Sequence, residues 1–351
     1  MNLTNLGWNS FYEGAYQEIK KDGRVPARVR REHRGSYEVT TEEGDFVAEL
    51  SGKFRFEAGL RDDLPAVGDW VLISNPSQGR AIIQYLLPRK SKFSRKSAGN
   101  TTEEQIIAAN IDTVFLVNSL NQDFNPGRIE RYLVMAWESG ANPVIVLSKA
   151  DLCTDREEKV NSLASIAAGV PVHVVSSAIG TGIDELTFYL EKGTTTALLG
   201  SSGAGKSTLI NKLVGNDIQA VQDIREDDGK GRHTTTSREL IVLEGGGVLI
   251  DTPGMRELQL WESSSLPSSF KDIDALAERC FFRDCQHNGE PKCAVEAAII
   301  EGSLEERRFQ NYRKFQKELA FLERQSNVKA QLDEKKKWRK IAGDRTRQHR
   351  R

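Results

Sequence analysis

Between residues 24 and 87 apolar and polar positions alternate in short runs. Val25, Ala27 and Val29 make one run, Phe46, Ala48 and Leu50 another, and Phe54 with Phe56 and Trp70 with Leu72 continue the pattern. Gly35, Gly44, Gly52, Gly68 and Gly79 punctuate it. A two-residue period places every second side chain on one face of a strand, so this stretch predicts several short strands closing into a small OB-like barrel. Near residue 111 the rhythm changes. Segments 111–120, 143–149, 171–177, 195–200 and 247–254 are nearly continuous apolar runs, and helix-like stretches at 128–140 and 155–169 lie between them. Strands that are apolar on both faces and alternate with helices predict a mostly parallel sheet covered on both sides. From about residue 266 strand patterns stop. Phe309, Tyr312, Phe315, Leu319 and Leu322 then recur at three- and four-residue spacing, which predicts an amphipathic helix.

These changes of rhythm divide the 351 residues into three expected domains: 1–105, an N-terminal extension with the OB-like barrel; 106–263, the α/β domain; and 264–351, a helical domain with a basic tail. No apolar run approaches the roughly 18 residues of a membrane span, and the first twenty residues have neither the basic start nor the apolar run of a secretory signal. Only four cysteines are present, which excludes a disulfide scaffold and points to a reducing, cytoplasmic setting.

The α/β segment carries the chemistry. Residues 200–208 read GSSGAGKST, between a strand and a helix. Gly200, Gly203 and Gly205 let the backbone of Ser201, Ser202 and Ala204 wrap so that N–H groups converge on a phosphate chain. Lys206 reaches the β- and γ-phosphates, the Ser207 hydroxyl suits Mg²⁺, and Thr208 continues the helix whose N-terminus favours anions. Downstream, DTPG at 251–254 supplies Asp251 to hold Mg²⁺ through water and the Gly254 N–H for a γ-phosphate. Between them the polar stretch 229–240 (GKGRHTTTSREL) is expected to order when Thr235 meets Mg²⁺ and the γ-phosphate. Upstream, Ser148, Lys149, Ala150 and Asp151 follow a buried-type strand. Asp151 can accept from the guanine N1–H and 2-amino groups, a donor pair that adenine lacks, while Lys149 lays its aliphatic stem along the base. Ser176, Ser177 and Ala178, at the end of the next strand, suit backbone contact with the base.

All the motifs of translation-factor GTPases are thus present, but the base motif precedes the phosphate loop. That order resembles the circularly permuted GTPases. With the OB-like region, GRHTTT and a Cys/His cluster, residues 24–300 closely resemble the RsgA family of small ribosomal subunit biogenesis GTPases. Permutation is tolerable because the binding loops of an open parallel sheet gather at the carboxyl ends of its strands. The resemblance implies GTP hydrolysis to GDP and phosphate in late maturation of the small (30S) subunit, as a checkpoint or release step stimulated by that subunit. It also implies 16S rRNA and assembly factors as partners, with a monomeric protein. The family's base motif is NKxD and Ser148 stands at its Asn position; a hydroxyl cannot replace both amide contacts, so affinity is expected to fall while Asp151 keeps guanine selectivity. Many GTPases orient water with a Gln after DxxG. Met255 stands there, which leaves His233 in the switch stretch, a position the resemblance also favours, as the expected water-positioning residue.

Cys280, Cys285, His287 and Cys293 place three thiols and an imidazole within 14 residues, the donor set of a closed, structural Zn²⁺ site. Cys153, beside the base motif, reads as buried filler rather than a nucleophile.

The net charge of −1 conceals a segregation. Residues 20–34 and 89–96 each carry +5 and residues 335–351 carry +8, leaving −19 on the remainder. Such separation creates local fields that attract polyanions, and Trp338 in the tail can stack on a base, so RNA is the expected partner. Two other classes compete: an OB/zinc RNA-binding module whose nucleotide is only a scaffold, and a P-loop kinase or ATPase, against which Asp151 and the Thr-rich stretch argue.

Overall fold

The computed structural model describes residues 2–19, 23–96, 104–215, 238–252, 270–317 and 319–320. The chain separates into two compact units, one of residues 1–97 and 103–259, the other of residues 98–102 and 260–351.

In the first unit, β1 (Arg24–His33), β2 (Ser36–Thr40), β3 (Asp45–Leu50), β4 (Trp70–Ser77) and β5 (Arg80–Leu86) close into a barrel in the order β1-β2-β3-β5-β4. β3 and β5 run parallel and the other neighbours antiparallel. The small barrel the alternation implied is therefore present, closed and five-stranded. The inward set Ala27, Val29, Val39, Ala48, Val71, Ile73, Ala81 and Ile83 forms its core. Trp70 and Leu72 face the other way and are buried too, beneath Leu6, Trp8 and Tyr12 of the N-terminal segment, whose helix α1 spans Ser10–Ile19. Trp8 meets Trp70 edge-on at 4.7 Å between centroids.

One stretch differs from its pattern. Phe54 and Phe56 lie not on a strand but on a short helix, α2 (Gly52–Glu57). Ser51 caps it by accepting from the Phe54 N–H at 3.1 Å, a local bond that favours a helix start over a ladder. Phe54 packs on the barrel core whereas Phe56 is 91% exposed, an outcome that strand alternation would not give.

A hairpin unmarked by the sequence pattern follows, β6 (Lys92–Lys96) against β7 (Glu104–Ala109). At Gly68 (φ +92°) a side chain would stand 2.2 Å from the Ala109 carbonyl oxygen, so only glycine allows the barrel to approach β7.

The remainder of this unit is an α/β layer. Its strands are β8 (Thr113–Ser119), β9 (Asn142–Ser148), β10 (Val172–Val174), β11 (Thr195–Gly200), β12 (Glu239–Val242) and β13 (Val248–Asp251), in the spatial order β10-β9-β8-β11-β13-β12. All neighbours are parallel except the edge strand β12. The helices α3 (Pro126–Ser139), α4 (Arg156–Asn161), α5 (Ile183–Thr187) and α6 (Lys206–Val214) connect them. Alternate residues of the central strands, Phe115, Val117, Val144, Val146 and Leu198, pack with Leu186, Leu209 and Ile210 into the main core. The chain order of strands is unusual for this sheet, yet every parallel strand delivers its carboxyl end to one edge.

Barrel and sheet are joined by charge. Arg28, 1% exposed, donates from Nε to the Gly68 carbonyl at 3.1 Å, from Nη2 to that of Asn110 at 3.0 Å, and from Nη1 to that of Leu6. Arg30 pairs with Asp45 at 3.0 Å and Glu239 at 3.3 Å, and Arg31 with Glu239 as well. Arg89 pairs with the fully buried Asp69 at 2.6 Å, and Lys92 with Glu104 at 3.1 Å. Of the two basic runs, Arg28 and Arg89 are thus engaged inside the protein, and Arg30, Arg31 and Lys92 are paired with acids while partly exposed.

In the second unit, α7 (Lys271–Ala277) and α8 (Ala294–Ile300) pack with a helix described over residues 306–317 and 319–320. Phe309, Tyr312, Phe315 and Leu319 of that helix are buried, as its spacing predicts; Leu322 lies outside the described residues. Arg308, 4% exposed, forks onto Asp272 at 2.9 and 2.8 Å, and the Tyr312 hydroxyl donates to Asp274 at 3.0 Å.

Candidate functional site

The carboxyl edge of the sheet collects the sequence motifs. β11 ends at Gly200, where a side chain would stand 2.3 Å from the Val117 carbonyl oxygen; this close approach is what the first glycine of the loop permits. Ser201, Ser202, Gly203, Ala204 and Gly205 turn the chain, with Gly203 and Gly205 left-handed at φ +79° and +88°, and α6 starts at Lys206. Lys206 is 8% exposed, and its Nζ donates to the Gly200 and Ser201 carbonyls at 2.8 and 2.9 Å. Burial pushes its ammonium down to about 8, and the charge of Asp251 works in the opposite direction. Ser207 and Thr208 follow on the first turn of α6, half-buried.

Asp251, 2% exposed, ends β13, which pairs with β11 in the register Leu198↔Asp251. The next residue, Thr252, donates through its hydroxyl to the Leu198 carbonyl at 2.5 Å, tying this strand end to the phosphate-loop strand. On the other side Asp251 stands opposite Glu239 of β12, the residue held by Arg30 and Arg31. Thr235, His233, Gly254 and Met255 lie outside the described residues.

The base motif ends β9, two strands away from β11. Ser148, at the expected Asn position, is 3% exposed and donates to the Ala204 carbonyl of the phosphate loop at 2.6 Å. The shorter side chain therefore still ties the base loop to the phosphate loop. Lys149 is left-handed (φ +58°), and burial lowers its pKa. Asp151 is exposed, and the Ser176 hydroxyl donates to it at 2.5 Å. That bond fixes one carboxylate oxygen and leaves the group at the surface, where a base edge can reach it. Ser176 is fully buried, Ser177 half-buried and Ala178 exposed. Cys153 is half-buried on a turn, not in the core, with its thiol 3.3 Å from Asp155 and 3.7 Å from Lys159.

A contributor that motif reading passes over is the loop 119–125, between β8 and α3. β8 lies between β9 and β11, so this loop leaves the sheet between base motif and phosphate loop. The switch-point rule of open sheets marks that position once strand order is known; the residues themselves match no motif.

In the second unit Cys280, Cys285, His287 and Cys293 converge, with all ligand atoms within 4.8 Å of one another. His287 Nδ1 is 3.5 Å from Cys280 Sγ and 3.3 Å from Cys293 Sγ, and those sulfurs are 3.9 Å apart. Sulfurs at the corners of a Zn²⁺ tetrahedron, each about 2.3 Å from the ion, stand roughly 3.8 Å apart, so the cluster has the dimensions of such a site. Burial and the neighbouring sulfurs push the Cys285 thiol up to about 11. Ionised together at this spacing, the three thiols would need a cation among them, and the donor set fits Zn²⁺.

Among the described residues no helix is long and apolar enough to cross a membrane. The family model described as RsgA GTPase matches residues 86–261. A Lactiplantibacillus plantarum protein named small ribosomal subunit biogenesis GTPase RsgA 2 is 50% identical over 302 residues, 86% of this chain and 85% of its own length. A Syntrophotalea carbinolica protein named small ribosomal subunit biogenesis GTPase RsgA is 42% identical, covering 98% of this chain and all of its own. Among solved structures, YjeQ from Thermotoga maritima aligns with a TM-score of 0.62 at 31% identity, covering 85% of this chain and 98% of that one. YloQ, described as a circularly permuted GTPase, shares the fold, with a TM-score of 0.59 at 24% identity over 87% of this chain and 96% of its own. With the base motif and phosphate loop meeting at one sheet edge in permuted chain order, and relatives of this identity spanning nearly its whole length, the chain belongs to the RsgA GTPase family.

Proposed function

We propose that this GTPase acts in late maturation of the small (30S) ribosomal subunit, binding its 16S rRNA and hydrolysing GTP to GDP and phosphate as a checkpoint or release step stimulated by that subunit. The observation that carries the nucleotide part is the Ser148–Ala204 bond, which joins base loop to phosphate loop. The relatives' names support the ribosomal part. Asp151 selects guanine, with Ser176, Ser177 and Ala178 flanking the base. Residues 200–208 cradle the phosphates, and Lys206 balances their charge. Ser207, Thr235 and Asp251, the last through water, hold Mg²⁺, which when bound neutralises charge on the β- and γ-phosphates. Gly254 senses the γ-phosphate. His233 positions the attacking water, whose oxygen bonds to the γ-phosphorus as the bridging bond to GDP breaks and a proton is released with phosphate.

In this reading residues 1–105 grip rRNA, 106–263 switch and 264–351 respond, with Zn²⁺ on Cys280, Cys285, His287 and Cys293 as a structural brace. The protein works as a cytoplasmic monomer that contacts assembly factors on the subunit. The test is GTP turnover with purified small subunits, large subunits and neither, at two salt concentrations. Multiple turnover stimulated by small subunits alone, and lost in His233→Ala, is expected. Equal turnover under all three conditions overturns the ribosomal reading, and equal affinity for ATP and GTP overturns the role of Asp151.

A further inference from the structure

We propose that Asp123 is a positioning residue for the nucleotide: its carboxylate, neutralised by Arg128, fixes the phosphate loop through the Ser201 hydroxyl. The inference rests on the nucleotide reading given above.

Asp123 sits in the loop 119–125, which is shaped from within. The Asn121 side chain accepts from the Ser119 hydroxyl at 2.8 Å and from the Asp123 N–H at 3.0 Å. The Leu120 N–H donates to the Ser148 carbonyl at 2.9 Å, and Lys159 Nζ donates to the Leu120 carbonyl at 2.9 Å. Asn125 then caps α3 by accepting from the Arg128 N–H at 3.1 Å. The loop is thus anchored to the base-motif strand on one side and to a helix start on the other, with Asp123 between.

From there Asp123 reaches the phosphate loop. The hydroxyl of Ser201, a residue only 3% exposed, donates to its Oδ2 at 2.8 Å. A hydrogen bond to a charged acceptor is stronger than a neutral one and holds its donor in one rotamer. Here the donor lies inside the turn whose N–H groups must converge on phosphate, so ordering it before the nucleotide arrives lowers the entropy cost of binding. Lys149 feels the same carboxylate: of the two acids that support its charge against burial, Asp123 acts more strongly than Asp151.

A bare carboxylate beside a phosphate site would repel the ligand. Arg128 removes that difficulty. Its guanidinium forks onto Asp123, with Nη2 2.8 Å from Oδ2 and Nη1 3.1 Å from Oδ1, and also donates to the Asp123 carbonyl. The pair is electrically neutral while its carboxylate still accepts from Ser201. This gives a signature that a purely structural pair lacks: removing Arg128 alone should harm nucleotide binding more than removing Asp123, and removing both should restore part of the loss.

The experiment measures GDP and GTP affinity of the full chain, with steady-state GTP turnover, for wild type and Asp123→Ala, Asp123→Asn, Ser201→Ala, Arg128→Ala and the pairs Asp123→Ala/Ser201→Ala and Asp123→Ala/Arg128→Ala. Asp123→Ala is expected to weaken affinity about tenfold and to raise KM without lowering kcat at saturating GTP. Asp123→Asn, which still accepts from Ser201, should retain more affinity than Asp123→Ala. The Asp123/Ser201 pair should lose no more than the worse single variant, and Arg128→Ala should be the weakest binder, improved by adding Asp123→Ala. Asp123→Ala within twofold of wild type, additive losses with Ser201→Ala, or Arg128→Ala no worse than Asp123→Ala would each overturn the inference. Thermal melting of the nucleotide-free variants identifies any whose loss is a folding defect; for those, the Asp123→Asn comparison decides. Failure of the wild type to bind guanine nucleotide would instead overturn the nucleotide reading itself.

Discussion

The Lys206 ammonium rests on two carbonyls of its own loop, Gly200 and Ser201, and burial pushes it down to about 8. An ammonium whose pKa is lowered in the fold loses its charge at lower pH than in the unfolded chain. A polyphosphate binds the charged form, so nucleotide affinity should be full below about pH 8 and fall as pH rises through it. Calorimetric titration with GDP from pH 7 to 8.5, in two buffers of different ionisation enthalpy, should show proton uptake on binding that grows over this range. A value that stays at zero would mean that Lys206 is not the group facing the phosphates. The phosphate loop is legible from glycines and Lys206 alone because backbone geometry leaves a fixed spacing. Ser148 is legible only in part. Its bond to the Ala204 carbonyl depends on how closely β9 and β11 sit, which no local pattern encodes. Asp123 is not legible at all, since an acid in a polar loop looks like any other until its neighbours are known.

Among the elements, the barrel shows how differently strand and helix signals carry. β1 and β3 can be read from alternation because burial on one face imposes it, whereas β4 is apolar on both faces, Val71 and Ile73 in the barrel core and Trp70 and Leu72 beneath the N-terminal segment. α2 cannot, since Phe54 and Phe56 imitate that period, and the deciding bond comes from Ser51. The hairpin of β6 and β7 escapes pattern reading for another reason: its charged residues look like a solvated run, whereas Lys92 pairs with Glu104 and Arg89, just before it, pairs with Asp69. Asp69 is wholly buried beside Arg89, which also donates to the Asp62 and Leu64 carbonyls at 2.7 and 2.8 Å. Removal of one partner from a buried pair leaves an uncompensated charge, typically at a cost of about 3–5 kcal/mol. Arg89→Ala should therefore destabilise the first unit by about that amount in urea unfolding, while exposed Lys53→Ala, on α2, should shift it by less than about 0.5 kcal/mol. Equal small shifts would show that the pair is not what seats the hairpin.

At the scale of the whole molecule, charge changes its meaning. The runs at 20–34 and 89–96 suggest two RNA-facing patches, yet Arg28 is buried and Arg30, Arg31, Arg89 and Lys92 are all paired with acids. Sequence counts net charge but not which charges are already engaged internally. The basic tail at 335–351 lies outside the described residues, and it carries +8. If RNA binding follows phosphate neutralisation, truncation after Glu334 should weaken it and flatten the slope of log affinity against log salt by several units, at roughly 0.7–0.9 for each phosphate the tail neutralises. Arg30→Gln should leave that slope almost unchanged. A tail truncation with an unaltered slope would leave the RNA contact to residues 1–105 alone.

The strand order of the sheet bears on how the protein is made. β8, β9 and β10 emerge first and pair as one half, leaving β8 as an open edge. β11, which covers that edge, begins at Thr195, 76 residues after β8 ends at Ser119, and brings the phosphate loop with it. Until then the nascent chain presents an unpaired, apolar strand to its surroundings, a template for wrong pairing. Docking of β11 on that edge brings the phosphate loop to the base motif, and β13, which then covers β11, adds Asp251. Guanine nucleotide captured by a chain emerging from its own ribosome would therefore report that the β8 edge has been covered.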